Sequence, residues 1–173
     1  KNLSVDDLLG LRDYRFEQIN ANQEFFTELI LALPGDNVEK HYASLRDTID
    51  VLGMNNIDIH QLTLLKGSVM ADWDALGSRP QDQFDVRSRV FVGCLGAYDI
   101  GGETVPIAEI EDVVVGNSSL SFDDYLRCRI THLLIKIYID HDPFNEVFGL
   151  VRGMGLSRFD LLLHSTVVYH ALW

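Results

Sequence analysis

The chain reads as an α/β protein: a parallel βαβ unit first, an antiparallel hairpin second, helices last. Three observations carry this. An apolar run, Phe25–Leu33, enters a Pro34-Gly35 turn, and a second run, Ile57–Leu65, follows a helical stretch; this is the pattern of paired parallel strands. Two apolar segments, Arg87–Tyr98 and Ile107–Val115, flank Ile100-Gly101-Gly102-Glu103, a hairpin signal. Ser121-Phe122-Asp123-Asp124 and Ser157-Arg158-Phe159-Asp160 each open a helical pattern in the last third, as capping boxes do.

Each element has a local reason. Ser4 caps a first helix whose apolar residues Leu8, Leu9, Leu11, Phe16 and Ile19 follow a 3.6-residue period. Phe25–Leu33 shows little alternation, so it is expected to be buried on both faces. Asp36 or Asn37 caps the next helix, Val38–Leu52, whose buried stripe is Val38, Tyr42, Leu45, Ile49 and Leu52, and Gly53 ends it. Ile57–Leu65 is the returning strand, Lys66-Gly67-Ser68 a turn, and Met70–Gln83 a short helix followed by a loop with Pro80. Val113–Val115 is β-branched and favours strand, whereas Ala108–Glu111 tolerates helix. A long helix runs from Phe122 to about Asp140 with Tyr125, Leu126, Leu133, Ile137 and Tyr138 toward its apolar face. Pro143 starts the next helix, which stops near Gly153 and Gly155, and the last runs from Ser157 toward Trp173.

Composition excludes several classes. Across 173 residues, 47% hydrophobic content supports a real core. A net charge of −12 speaks for solubility and against a nucleic-acid binder, which needs a basic stripe. No apolar run reaches membrane-spanning length. The two cysteines, Cys94 and Cys128, are far apart and suit a reducing, cytoplasmic compartment without a structural disulfide. The first residue is Lys1, not Met, so the chain is expected to be a processed or excised piece. No G-x-S-x-G elbow, P-loop, HExxH or GxGxxG is present.

Glu28-Leu29-Ile30-Leu31-Ala32-Leu33-Pro34-Gly35-Asp36-Asn37 resembles the D-L-I-x-G-L-P-G-E-T segment of radical S-adenosylmethionine (SAM) enzymes, the fifth strand of their partial barrel. Ile57–Ser68 resembles the sixth strand and its Pro-Gly-Ser/Thr turn. SFDDYLRCRITHLLIKIY is similar to the carboxyl-terminal region of the subgroup that carries a cobalamin-binding domain. Four positions depart from the pattern: Ala32 stands for glycine, Asp36 for glutamate, Asn37 for threonine and Lys66 for proline. The CxxxCxxC loop and the glycine-rich second-strand motif are absent. The resemblance implies an incomplete TIM-type barrel fragment, with residues 1–76 as its last βαβ part and residues 77–173 as an α+β extension. It implies SAM and a [4Fe–4S] cluster in the intact parent, cobalamin as a further cofactor of that subgroup, and the missing amino-terminal half of the enzyme as partner.

The resemblance also implies which residues meet the cofactor. Leu33, Pro34, Gly35 and Asp36 lie at the carboxyl end of the first strand, where the family's turn flanks the adenine; a Pro-Gly turn has little bulk, so a ligand reaches the backbone. His60 and Gln61, on opposite sides of the returning strand, are expected to meet substrate and cofactor in the barrel lumen, with a satisfied core histidine as the alternative for His60. Glu28, near the start of its strand, reads as structural. Cys128 and His132, four apart on one helix, make a permissible but incomplete metal pair, so both cysteines read as structural and no metal site is expected. Arg87, Arg89, Arg127 and Arg129 either meet an anionic substrate or pair with carboxylates, and ion pairing is the expectation. His164 and His170 are too far around their helix to share a ligand.

Two functions follow. The resemblance implies that the chain is the carboxyl-terminal part of a radical SAM enzyme acting on a small-molecule substrate, unable to cleave SAM alone, its catalytic residues unassigned. Alternatively it is a non-catalytic α+β module that dimerises through an exposed sheet edge.

Overall fold

The computed structural model describes residues 5–18, 26–72 and 83–170. The cap at Ser4, the apolar position Ile19, the start of the first strand at Phe25 and the Pro80 loop lie outside them. Helix α1 (Val5–Gln18) is followed by strand β1 (Thr27–Leu31), helix α2 (Val38–Arg46) and strand β2 (Ile57–Gln61). β1 and β2 pair with each other. Thr27 N–H donates to the Asn56 carbonyl and Leu62 N–H to the Leu31 carbonyl, both at 3.1 Å, so the two strands advance in the same direction. The mixed α/β reading therefore holds, with two parallel strands among the described residues and no closed barrel.

The chain divides into two compact units, one of Lys1–Leu29, Val38–His60 and Leu126–Trp173, the other of Ile30–Asn37 and Gln61–Tyr125. The first is built on α2, on helix α3 (Phe122–Tyr138) from Leu126 onward, on α4 (Asn145–Gly153) and on α5 (Arg158–His170). Its core joins Leu45, Ile49, Ile57, Ile135, Ile139, Phe148, Phe159 and Leu162, with Leu29 and Ile59 packed against them. Burying a side chain of this kind is worth roughly 1.5–3 kcal/mol. Ser157 Oγ accepts the Asp160 N–H at 2.9 Å, so the capping box at the start of α5 forms.

The expectations for β1, for the helix from Val38 and for α3 need correction. β1 is not buried on both faces: its exposure alternates, with Glu28 and Ile30 exposed and Leu31 buried, because the helical core covers only one side of the pair. The helix from Val38 does not run uniformly to Leu52. It widens to a π turn over Asp47–Val51, where Leu52 N–H reaches the Asp47 carbonyl at 2.8 Å. Thr48 Oγ1 donates back to the Ser44 carbonyl at 2.8 Å, a bond that bends helices. Gly53 then leaves with φ 66°, as a helix-ending glycine does.

The third correction concerns α3. Leu126, Leu133 and Ile137 are 43%, 59% and 49% exposed, whereas Cys128, Thr131, His132, Ile135 and Ile139 are buried. Two polar residues sit on the buried stripe because each has a partner on α2: Thr131 Oγ1 lies 2.9 Å from Tyr42 Oη and His132 Nε2 lies 2.8 Å from His41 Nε2. Burial of a polar group is tolerated once it is hydrogen-bonded.

The second unit is built on a three-stranded antiparallel sheet in the order β3-β5-β4, with β3 Thr63–Leu64, β4 Phe84–Ile100 and β5 Glu103–Asn117. Both hairpin strands exceed their expected lengths, and Ala108–Glu111 is strand, as the Ile107–Val115 reading has it. Gly101 and Gly102 have φ 64° and 88°, the pair of positive values that a two-residue hairpin turn of the I′ type requires. Val113, Val114 and Val115 are all buried, together with Leu62, Leu64, Phe84 and Leu120. The segment expected as a helix from Met70 is a single 3₁₀ turn, Val69–Ala71, within its described part. Among the described residues no helix is long and apolar enough to cross a membrane.

Candidate functional site

The carboxyl ends of β1 and β2 lie side by side, since Leu62 N–H bonds the Leu31 carbonyl. Parallel sheets place their ligand sites at this end. Beyond β1, Asp36 N–H donates to the Leu33 carbonyl at 2.9 Å and Gly35 has φ 78°. Leu33-Pro34-Gly35-Asp36 is therefore a type II turn, with proline and glycine at the positions that need them. Leu33, Pro34 and Gly35 are exposed and Asp36 half-buried. A Cβ placed on Gly35 would meet nothing within 4 Å, so there is space on that side of the turn.

Ala32, the residue before this turn, is fully buried and has φ 74°. That conformation favours glycine and costs an L-residue about 1–2 kcal/mol. It falls at the position where the radical SAM segment carries glycine.

A polar loop holds the turn in place. Asn117 Oδ1 accepts the N–H groups of Ser119 and Leu120 at 2.8 and 3.0 Å. Its amide nitrogen is thereby directed to the carbonyls of Ala32 and Leu33, at 3.4 and 3.3 Å. Ser119 Oγ donates to the Asp36 carbonyl at 2.7 Å. Sequence reasoning missed this clamp; its signal was the polar run Gly116-Asn117-Ser118-Ser119 ahead of the capping box. The box itself forms, with Asp124 N–H donating to Ser121 Oγ at 3.1 Å.

Gln61 closes β2 in a network of its own. Its amide nitrogen donates to Tyr125 Oη, and its carbonyl oxygen accepts from Arg89 at 2.9 Å. Arg89 also pairs with Glu111. His60 is exposed and lies 3.6 Å from Glu28 Oε1 across the parallel pair. These two residues stand opposite Leu29, Ile57 and Ile59, which face the helical core. His60 is thus not a core histidine, and Glu28 is exposed. Leu33–Asp36 come together as one turn, whereas His60 and Gln61 have different partners on opposite sides of their strand.

The remaining residues sort by environment. Arg87 approaches Asp85 at 4.0 Å and lies over the Phe122 ring, 5.0 Å from its centre. Arg129 donates to His132 Nδ1 at 3.4 Å. Since His132 Nδ1 is an acceptor, its Nε2 carries the proton and donates to His41. Burial, with His41 and Arg129 adding to it, pushes the His132 imidazole down to about 3. Cys128 is buried. Among the described residues no group of three or more His, Cys, Asp or Glu side chains converges to hold a metal ion. That donor set does not fit an iron–sulfur cluster, which takes three or four thiolates. His164 Nδ1 is 2.8 Å from the Asp160 carbonyl in its own helix.

Compared with known proteins, the chain matches no family model and no curated protein.

Proposed function

We propose that this chain is the closing part of a radical SAM enzyme's incomplete TIM-type barrel, with the Leu33–Asp36 turn against the adenine of SAM. The supporting observation is the left-handed, buried Ala32 leading into an exposed type II turn at the carboxyl end of a parallel strand. The backbone thus takes, at position 32, the conformation that the glycine of the resembled segment is suited to. Adenine has flat apolar faces and edge donors and acceptors. Leu33 and Pro34 offer apolar surface, and the space beside Gly35 leaves room for a flat ring.

In this reading Gln61 positions the end of β2, because its amide is already committed to Tyr125 and Arg89. His60 is the residue offered to a small-molecule substrate, with Glu28 3.6 Å away. The cluster ligands belong to a partner portion that carries the Cys triplet. A dimerising module is the second reading. At β2 the outer edge is engaged by Asp140, which takes the Ile57 N–H at 3.1 Å, so this reading rests on the outer edge of β1.

The test is chemical. The natural protein containing residues 1–173, with iron and sulfide restored under anaerobic conditions, is given SAM and a reductant, and 5′-deoxyadenosine is measured. Its formation supports the proposal. A protein that holds a cluster yet releases none, with or without candidate substrates, overturns it.

A further inference from the structure

Between α3 and the start of β2, within the first unit, lies a half-open cavity of about 230 Å³. Its wall includes Ile57, Ile59 and Leu133 as apolar surface, and Arg129, Lys136 and Asp58 as charged groups. The two cations differ in their surroundings. Lys136 is held by Asp58 at 3.2 Å and Asp140 at 2.7 Å. Arg129 is half-buried, and its bond is to an imidazole nitrogen, with no carboxylate paired to it among the described residues.

That imidazole is uncharged near neutral pH, since burial holds His132 at about 3. A guanidinium has five donors, and one weak bond to a neutral ring leaves most of them for other acceptors. The ring nevertheless orients the guanidinium, because His132 is itself fixed by His41. The arrangement is a pre-set cationic fork beside hydrocarbon, the geometry that takes a carboxylate in two parallel bonds.

We propose that this cavity binds a small aliphatic carboxylate, its anionic head on Arg129 and its hydrocarbon against Ile57, Ile59 and Leu133. At roughly 30 Å³ per water-sized group, the space holds a molecule of about seven non-hydrogen atoms. The site lies apart from the Leu33–Asp36 turn in the chain and does not require SAM.

The test is an NMR titration of the ¹⁵N-labelled 173-residue chain at constant ionic strength. The probes are 3-methylbutanoate, its neutral amide 3-methylbutanamide, and inorganic phosphate. The expected result is saturable shifts at Ile57–Ile59 and Arg129–Lys136 with 3-methylbutanoate, and binding at least about tenfold weaker for the amide and for phosphate, as loss of a charge-assisted pair or of the apolar contact implies. Arg129→Gln weakens 3-methylbutanoate binding by about tenfold or more. Leu133→Glu, at an exposed position, brings a carboxylate to the wall and weakens it similarly, which keeps the test open if Arg129→Gln fails to fold. Absence of saturation, equal binding of the amide, equal binding of phosphate, or a folded Leu133→Glu variant with unchanged affinity overturns the proposal.

Discussion

The Nε2 atoms of His41 and His132 lie 2.8 Å apart, both rings buried, one on α2 and the other on α3. Only one proton fits between two nitrogens at that distance. With Arg129 on the far side of His132, a proton added at His132 Nδ1 faces a cation. Above the ordinary imidazole value His132 is neutral and the contact is intact. In the folded state His132 takes a proton only near pH 3, whereas the unfolded chain takes it near 6.5. Between those values the unfolded chain binds more protons, so stability falls as pH falls, by about 1.4 kcal/mol per pH unit for one such group. Urea unfolding at pH 4, 5, 6 and 7.5 is expected to show this slope, and His132→Gln to reduce it. Equal slopes in both proteins contradict the assignment.

Asp140 makes a related contact at the edge of β2. Its buried carboxylate takes the Ile57 N–H and the Lys136 ammonium. Burial alone raises its pKa, but those two partners outweigh burial and hold the carboxyl below its ordinary range. Its contribution is therefore complete above about pH 4 and is lost as pH falls through the folded value. Asp140→Ala leaves a strand N–H without its acceptor and is expected to cost about 2 kcal/mol in denaturant unfolding at pH 7.

Ala32→Gly is expected to stabilise the protein by up to about 1 kcal/mol, since relief of the left-handed strain exceeds the added chain entropy and the lost methyl. Thermal unfolding reads this directly. A lower melting temperature for the glycine variant means that the methyl's packing outweighs the strain at φ 74°.

Asn117→Ala removes both the acceptor for Ser119 and Leu120 and the donor to Ala32 and Leu33. A loss of about 1–2 kcal/mol is expected. Amide hydrogen exchange then quickens at Asp36, whose N–H closes the turn. Unchanged exchange there means that the turn holds itself without the clamp.

The order of elements was legible because local signals and tertiary packing agree. Ser121 and Ser157 cap helices where their boxes stand, and Gly101-Gly102 makes the turn that their pairing implies. The buried face of α3 was not legible. Apolar periodicity points to Leu126, Leu133 and Ile137, while burial goes to Thr131 and His132, whose partners Tyr42 and His41 are far away in sequence. For the same reason His60 and Gln61 stood out as lone polar residues on a strand, but their partners Glu28 and Tyr125 emerge only from the fold. The Leu33–Asp36 turn was readable from Pro34 and Gly35; the Asn117 clamp that fixes it was not, since a long stretch of chain separates the two.

Contact between SAM and the Leu33–Asp36 turn is measured most directly by photo-crosslinking of 8-azido-S-adenosylmethionine to the natural protein that contains this chain, with the labelled peptides identified by mass spectrometry. A crosslink within Leu33–Asp36 that excess SAM abolishes is expected. A SAM-competed crosslink that maps elsewhere, leaving this turn unlabelled, contradicts it.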